Sequence, residues 1–221
     1  MKQYPINLNL YQKKVLVVGG GKVAYRKIKR LVKCGSIVKI VCPDMIVELK
    51  DFINNEKNQI EYFQRKFLAE DLNNIFLAVA ATDDSKTNKN IGKLAQKKEI
   101  LVNVVDNFEL SDFTLPAVVD REELMITIST GGSLPALSSR LCKELEEMFG
   151  PEFEDYLKYI KKIRPLIVNK IDDYDKRKKI FYRLAEKELI NTFKENKKRA
   201  ITIINDLLKK ENIDIKGGKN E

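Results

Sequence analysis

From Lys14 to Val105 the sequence alternates short β-branched runs with polar, helix-compatible stretches, and this alternation constrains the fold more than any other feature. KVLVVG (14–19), IVKIVC (37–42), IEYFQRKF (60–67), IFLAVAA (75–81) and ILVNVV (100–105) read as strands. VAYRKIKRLVKC (23–34), DMIVELKDFINN (44–55) and SKTNKNIGKLAQKK (85–98) read as helices, with Cys34-Gly35 as a stop signal and Pro43-Asp44 as a start signal. Parallel neighbours need crossover connections, which intervening helices supply. The expectation is an α/β fold whose first part is a doubly wound, mainly parallel sheet of the Rossmann type.

The pattern changes after Asp106. TLPAVVDREELMITIS (114–129) predicts two strands joined around Asp120 to Glu123, and PALSSRLCKELEEMF (135–149) predicts a helix with Leu137, Leu141, Leu145 and Met148 on one face. Beyond Gly150-Pro151 the pattern is helical. Phe153, Leu157, Ile160, Ile163 and Ile167 form a buried stripe interrupted near Pro165, and residues 216–219 read as a frayed end. Three parts follow: a nucleotide-binding domain over 1–113, a small α+β segment over 114–150 and a basic helical domain over 151–221.

Composition removes whole classes of function. At 221 residues, 43% apolar and 33% charged, the chain can bury a core, so disorder and collagen are excluded. The absence of histidine (His 0) rules out a serine-histidine triad, an HExxH zinc site and an imidazole proton shuttle. MKQYPINLNLYQKK lacks the pattern of a secretory leader, and no apolar run approaches the roughly 18 residues of a membrane span, so a cytoplasmic protein without membrane contact is expected. Cys34, Cys42 and Cys142 suggest neither a disulfide framework nor a CxxC site and read as inert thiols. The net charge is +9, of which residues 151–221 hold +6. Such a tail suits a polyanionic partner or a solvated helical face.

Gly19, Gly21 and Ala24 fall in G-x-G-x-x-G/A spacing, after a strand and at the opening of a helix. Glycine permits a tight turn and a close approach of backbone to pyrophosphate, and the helix N-terminus offers free N–H groups. Gly20 lies within the loop, and Lys22 there can meet a phosphate. Asp44, just past the second strand, can accept hydrogen bonds from ribose hydroxyls, favouring NAD over NADP, or can cap the next helix. Asp106 closes the fifth strand, where ligands of doubly wound sheets bind. It reads either as a proton acceptor or metal ligand, or as an ordinary turn with Asn107. Ser129, Thr130, Gly131, Gly132 and Ser133 precede a helix with Pro135 near its first turn and form either a second anion site, with Arg140 as a bidentate partner, or a flexible cap.

Together, YPINLNLYQKKVLVVGGGKVAYRK, FLAVAATDD with Asn88 beyond it, VNVVD, FTLPAVVDR and ISTGGSLPALSSRLCKELE resemble the precorrin-2 dehydrogenase / sirohydrochlorin ferrochelatase family, the dehydrogenase module of siroheme synthase, over roughly residues 4–150. The resemblance implies NAD-dependent oxidation of precorrin-2 to sirohydrochlorin and, in some members, insertion of Fe2+, a substrate rather than a bound cofactor, at the same cleft. It implies cofactor contacts from Gly19, Gly20, Gly21, Lys22, Val23, Ala24, Pro43, Asp44 and Thr82, with Asp106 as the catalytic carboxylate and transient metal ligand. It also implies that the octacarboxylate tetrapyrrole meets residues 129–133 and Arg140, Thr130 standing where the fused bacterial enzymes have a modified serine. Residues 114–149 would interlock two copies in a homodimer. With no counterpart of the fused enzymes' methyltransferase domain, methylation is expected elsewhere, and nucleic acid is not an expected partner. Two rival readings are an NAD sensor with a nucleic-acid-binding tail and a chelatase that lacks dehydrogenase activity.

Overall fold

A computed structural model describes residues 3–56, 58–105 and 107–213. The chain forms two compact units, divided between Leu115 and Pro116.

The first unit carries β1 (Lys14–Val18), α1 (Lys22–Lys33), β2 (Ile37–Val41), α2 (Val47–Asn55), β3 (Ile60–Phe63), β4 (Leu77–Ala80), α3 (Ser85–Lys97) and β5 (Leu101–Val104), with a 3₁₀ turn at Ala69–Leu72. All five strands are parallel, in the order β3-β2-β1-β4-β5. The central strand, β1, aligns Val15 with Val38 on one side and with Leu77 on the other. Side chains alternate across a strand, so Val15 and Val17 pack with Ala24, Ile28 and Leu49 of α1 and α2, while Leu16 and Val18 pack with Ile91 and Ala95 of α3. Burial on both faces is why β1 reads as an unbroken apolar run instead of an alternating one.

Two boundaries in this unit differ by more than two residues from the sequence expectation. Helix α2 starts at Val47 with Ile46 as its N-cap, not at Asp44, because Ile46 N–H donates to Gly20 O at 3.0 Å and holds residues 42–46 against the first turn of the fold. β3 stops at Phe63, and Arg65 instead turns to make two 2.7 Å bonds to the Asp71 carboxylate.

The edge of β5 is closed by the chain that follows it. Asp112 N–H donates to Val102 O and its carboxylate accepts from Val102 N–H, while the Ser111 hydroxyl accepts from Val104 N–H, at 2.8, 2.9 and 2.9 Å. A sheet edge left open invites pairing with other chains; here the Asp112 backbone and the Asp112 and Ser111 side chains satisfy it.

The second unit begins with the antiparallel pair β6 (Ala117–Arg121) and β7 (Leu124–Ile128), as expected, joined through Glu122 and Glu123. Then come α4 (Pro135–Met148), α5 (Glu152–Lys170), α6 (Tyr174–Leu184), α7 (Lys187–Glu195) and α8 (Lys197–Lys209). Helix α4 has a partner in this unit, which its sequence did not reveal: it lies on the β6–β7 pair, and Arg121 bonds the carbonyls of Glu146 and Phe149 at its C-terminal end. Leu137, Leu141 and Leu145 are half-buried, but Met148 is exposed. Pro165 does not break α5, since its missing N–H removes one bond from a helix anchored on either side by buried Tyr156, Ile163 and Ile167. These side chains join Ile180, Leu184, Phe193, Ile204 and Leu208 of the later helices in one core, and Tyr156 Oη donates to Leu184 O inside it. Among the described residues, no helix is long and apolar enough to cross a membrane.

Candidate active site

The doubly wound order reverses between β1 and β4, and the turn after each strand lies at that reversal. Gly19 has φ +129°, and a Cβ there would lie 2.2 Å from Ala81 O, so both backbone and packing require glycine. Gly20 meets a second wall, since its Cβ would be 2.2 Å from Asp44 O. The turns after β1, β2 and β4 are therefore seated against one another.

Gly21 differs from both. It is the N-cap of α1 with φ −84° and ψ −178°, extended backbone that any residue adopts, and a Cβ there would meet nothing within 4 Å. Serine or threonine would cap the helix better. Neither conformation nor packing within the protein asks for glycine, whereas a phosphate brought close to the backbone does. α1 has no side-chain cap bond and no acidic residue in its first turn, so the leading N–H groups of Lys22, Val23 and Ala24 are left for an anion. Ala24 is fully buried on β1, the close helix–strand contact its position demands. These features fit a dinucleotide.

Pro43 and Asp44 are exposed beyond β2, and Asp44 caps no helix. Burial pushes the neighbouring Cys42 thiol pKa up and the Asp44 charge adds to that, against a lowering by Tyr62, which disfavours the thiolate at this buried cysteine. Cys34, by contrast, is exposed, and Cys142 is half-buried.

Thr82, after β4, is locked by Asn88 on α3. Thr82 N–H and Oγ1 bond Asn88 Oδ1 at 3.1 and 2.7 Å, and Asn88 Nδ2 donates to Thr82 O at 2.9 Å. Asp84 caps α3 by accepting from Lys86 and Thr87 N–H and the Thr87 hydroxyl, contacts that hold its carboxyl below the usual range.

Asp106 lies outside the described residues. Strand β5 itself holds a feature that sequence reasoning missed: Asn103, a buried polar residue, accepts from Lys27 Nζ of α1 at 3.0 Å and donates to Phe113 O at 3.0 Å. The signal was an asparagine inside the apolar run LVNVV, where a buried amide needs partners.

Ser129 to Ser133 and Arg140 belong to the second unit. Gly131 and Gly132 have φ +61° and +84°, Ser129 Oγ accepts from Gly131 N–H at 3.1 Å, and Thr130 Oγ1 accepts from Leu134 N–H at 3.2 Å and Ser138 Oγ at 3.4 Å. Arg140 is paired with Glu144 at 3.3 Å on the exposed face of α4. Among the described residues no hydrogen bond joins Arg140 to the turn, and no group of acidic or cysteine side chains is set to hold a metal.

Residues 6–117 match the family described as "Putative NAD(P)-binding". The siroheme synthase of Chromobacterium violaceum is 33% identical over 84% of this chain and 39% of its own length, and that of Zymomonas mobilis is 37% identical over 77% and 36%. The chain thus spans less than two-fifths of the length of these relatives. Among solved structures, SirC, a precorrin-2 dehydrogenase, superposes with a TM-score of 0.75 at 26% identity, covering 92% of this chain and all of SirC (100%). With a nucleotide loop, strand order and relatives in agreement, the chain belongs to the NAD(P)-binding family matched by residues 6–117 and, within it, to the group of the siroheme synthases and precorrin-2 dehydrogenase.

Proposed function

We propose that this chain is a precorrin-2 dehydrogenase that oxidises precorrin-2 to sirohydrochlorin with NAD. The observation that carries the reading is Gly21, a glycine that only a close ligand explains, at the switch point of a fold that matches SirC over 92% of the chain. NAD, when bound, accepts a hydride from the substrate. The chain's own residues do the rest. The N–H groups of Lys22 to Ala24 hold the pyrophosphate, the Asp44 carboxylate accepts the ribose hydroxyls and repels a 2′-phosphate, and the Asn88-locked Thr82 turn forms the opposite wall. The Asp106 carboxylate takes the proton that leaves as the hydride is transferred, so substrate and NAD give product, NADH and H+.

Thr130, with the Gly131-Gly132 turn and Arg140, receives substrate carboxylates, Arg140 exchanging its exposed Glu144 partner, which holds it weakly. Within the two compact units we read three functional parts, 1–113, 114–150 and 151–221, with 114–150 joining two copies in a homodimer, and we read the reaction as cytoplasmic. Fe2+ is a further substrate: its insertion would release two pyrrole protons, with Asp106 as transient ligand. Anaerobic incubation with precorrin-2 and NAD tests the reading. NADH and sirohydrochlorin should form together, and their absence overturns it; adding Fe2+ afterwards reads the chelatase step by the loss of free sirohydrochlorin.

A further inference from the structure

The second unit holds a groove of about 540 Å³ between the C-terminal half of α5 and the face of α6, lined by Arg164, Tyr174, Arg177, Lys178, Phe181 and Tyr182, among others. None of its lining residues is acidic. Arg164 lies over the Phe181 ring at 5.4 Å and Lys178 over the Tyr182 ring at 5.9 Å. Arg177 is fixed at one side by bonds from Nη1 to the carbonyls of Ile171 and Asp172 at 2.7 and 2.9 Å. Tyr174 and Tyr182 are 68% and 67% exposed, an unusual state for two aromatic rings flanking one depression.

Rings and cations interleaved in this way recognise a ligand that is flat and conjugated on its faces and anionic at its rim. An aliphatic polyanion gains nothing from the tyrosines, and a neutral aromatic gains nothing from the cations. Its volume is on the scale of one small molecule, which favours a discrete ligand over a polynucleotide. We propose that the α5–α6 groove binds a planar, conjugated polycarboxylate, the class of the tetrapyrrole product; the assignment of class rests on the proposed function, while the groove does not. Tyr174 and Tyr182 stack on the macrocycle, and Arg164, Arg177 and Lys178 meet its carboxylates.

The chain has no tryptophan (Trp 0), so Tyr182→Trp supplies a single reporter that keeps an aromatic ring in the wall. Uroporphyrin, a stable octacarboxylate porphyrin, should quench this fluorescence saturably in the full chain. In the same background Arg164→Ala should weaken binding at least fivefold and Lys178→Glu at least tenfold. Both residues are at the surface of the groove, and an unchanged melting temperature confirms intact folding. Quenching equally tight in all three proteins overturns the proposal, as does a single-stranded oligonucleotide that relieves the quenching when present at lower concentration than the porphyrin. NADH formation from precorrin-2 by the unsubstituted protein separates the two readings: its absence with variant-sensitive quenching overturns only the activity, and its presence with variant-insensitive quenching overturns only the groove.

Discussion

Gly19 and Ala81 are in backbone contact so close that a Cβ on the first would stand 2.2 Å from the carbonyl oxygen of the second. This contact fixes the turn after β1 to the end of β4, and with it the crevice at the switch point. Gly19→Ala adds steric overlap to a φ of +129° and should destabilise the first unit by about 3 kcal/mol. Gly21→Ser, by contrast, should leave stability unchanged or raise it, because serine caps well, while weakening NAD binding at least tenfold. Urea unfolding and nucleotide titration of both variants check the contrast.

Asp44 carries the expected choice of nucleotide. Asp44→Asn removes the charge that repels a 2′-phosphate and should lower the NAD to NADP ratio of kcat/KM by roughly tenfold or more. Steady-state rates with each nucleotide read this directly, and an unchanged ratio removes the role.

Asp106→Asn should lower kcat by about 100-fold or more, the scale of a lost proton acceptor, with little change in the dissociation constant of NAD. A variant that keeps the wild-type rate moves the proton transfer to another group.

Asp71 is a buried carboxylate held by Arg65, Lys39 at 2.8 Å and Leu68 N–H at 2.9 Å. Burial pushes its pKa up, but the Arg65 and Lys39 contacts outweigh that and hold it well below the ordinary 3.8. A depressed folded-state pKa means the contribution is complete above about 4 and is lost as pH falls from there toward the folded value. The urea midpoint should therefore drop below pH 4 more steeply in the wild type than in Asp71→Asn. At neutral pH the variant should be less stable by roughly 3 kcal/mol, since two cations lose their partner.

Tyr156 reports on the second unit alone. Burial, with a smaller contribution from Tyr159, pushes its pKa up to about 12, and its hydroxyl donates to Leu184 O. Tyr156→Phe leaves that buried carbonyl unsatisfied and should cost about 1–2 kcal/mol without altering NAD affinity, as calorimetry and nucleotide titration together would show.

The βαβ order and the glycine loop were legible because both are local: a run of β-branched residues, a turn that needs glycine, a helix with one apolar face. The hairpin through Glu122 and Glu123 was legible for the same reason. What stayed hidden depends on distant residues meeting. Asp44 reads as a helix cap until Ile46 is seen bonded to Gly20 O. Arg65 reads as part of a strand until Asp71 draws it away. The Glu144 carboxylate beside Arg140 is likewise visible only in the folded helix. By itself the sequence determined the doubly wound sheet, the phosphate loop and the absence of imidazole chemistry, because propensity, periodicity and composition need no partners. Only the tertiary structure decided which glycines the protein's own packing requires. Whether a missing side chain would strike a carbonyl or open space depends on atoms some 25 to 60 residues away in the chain, as Asp44 and Ala81 are from the loop.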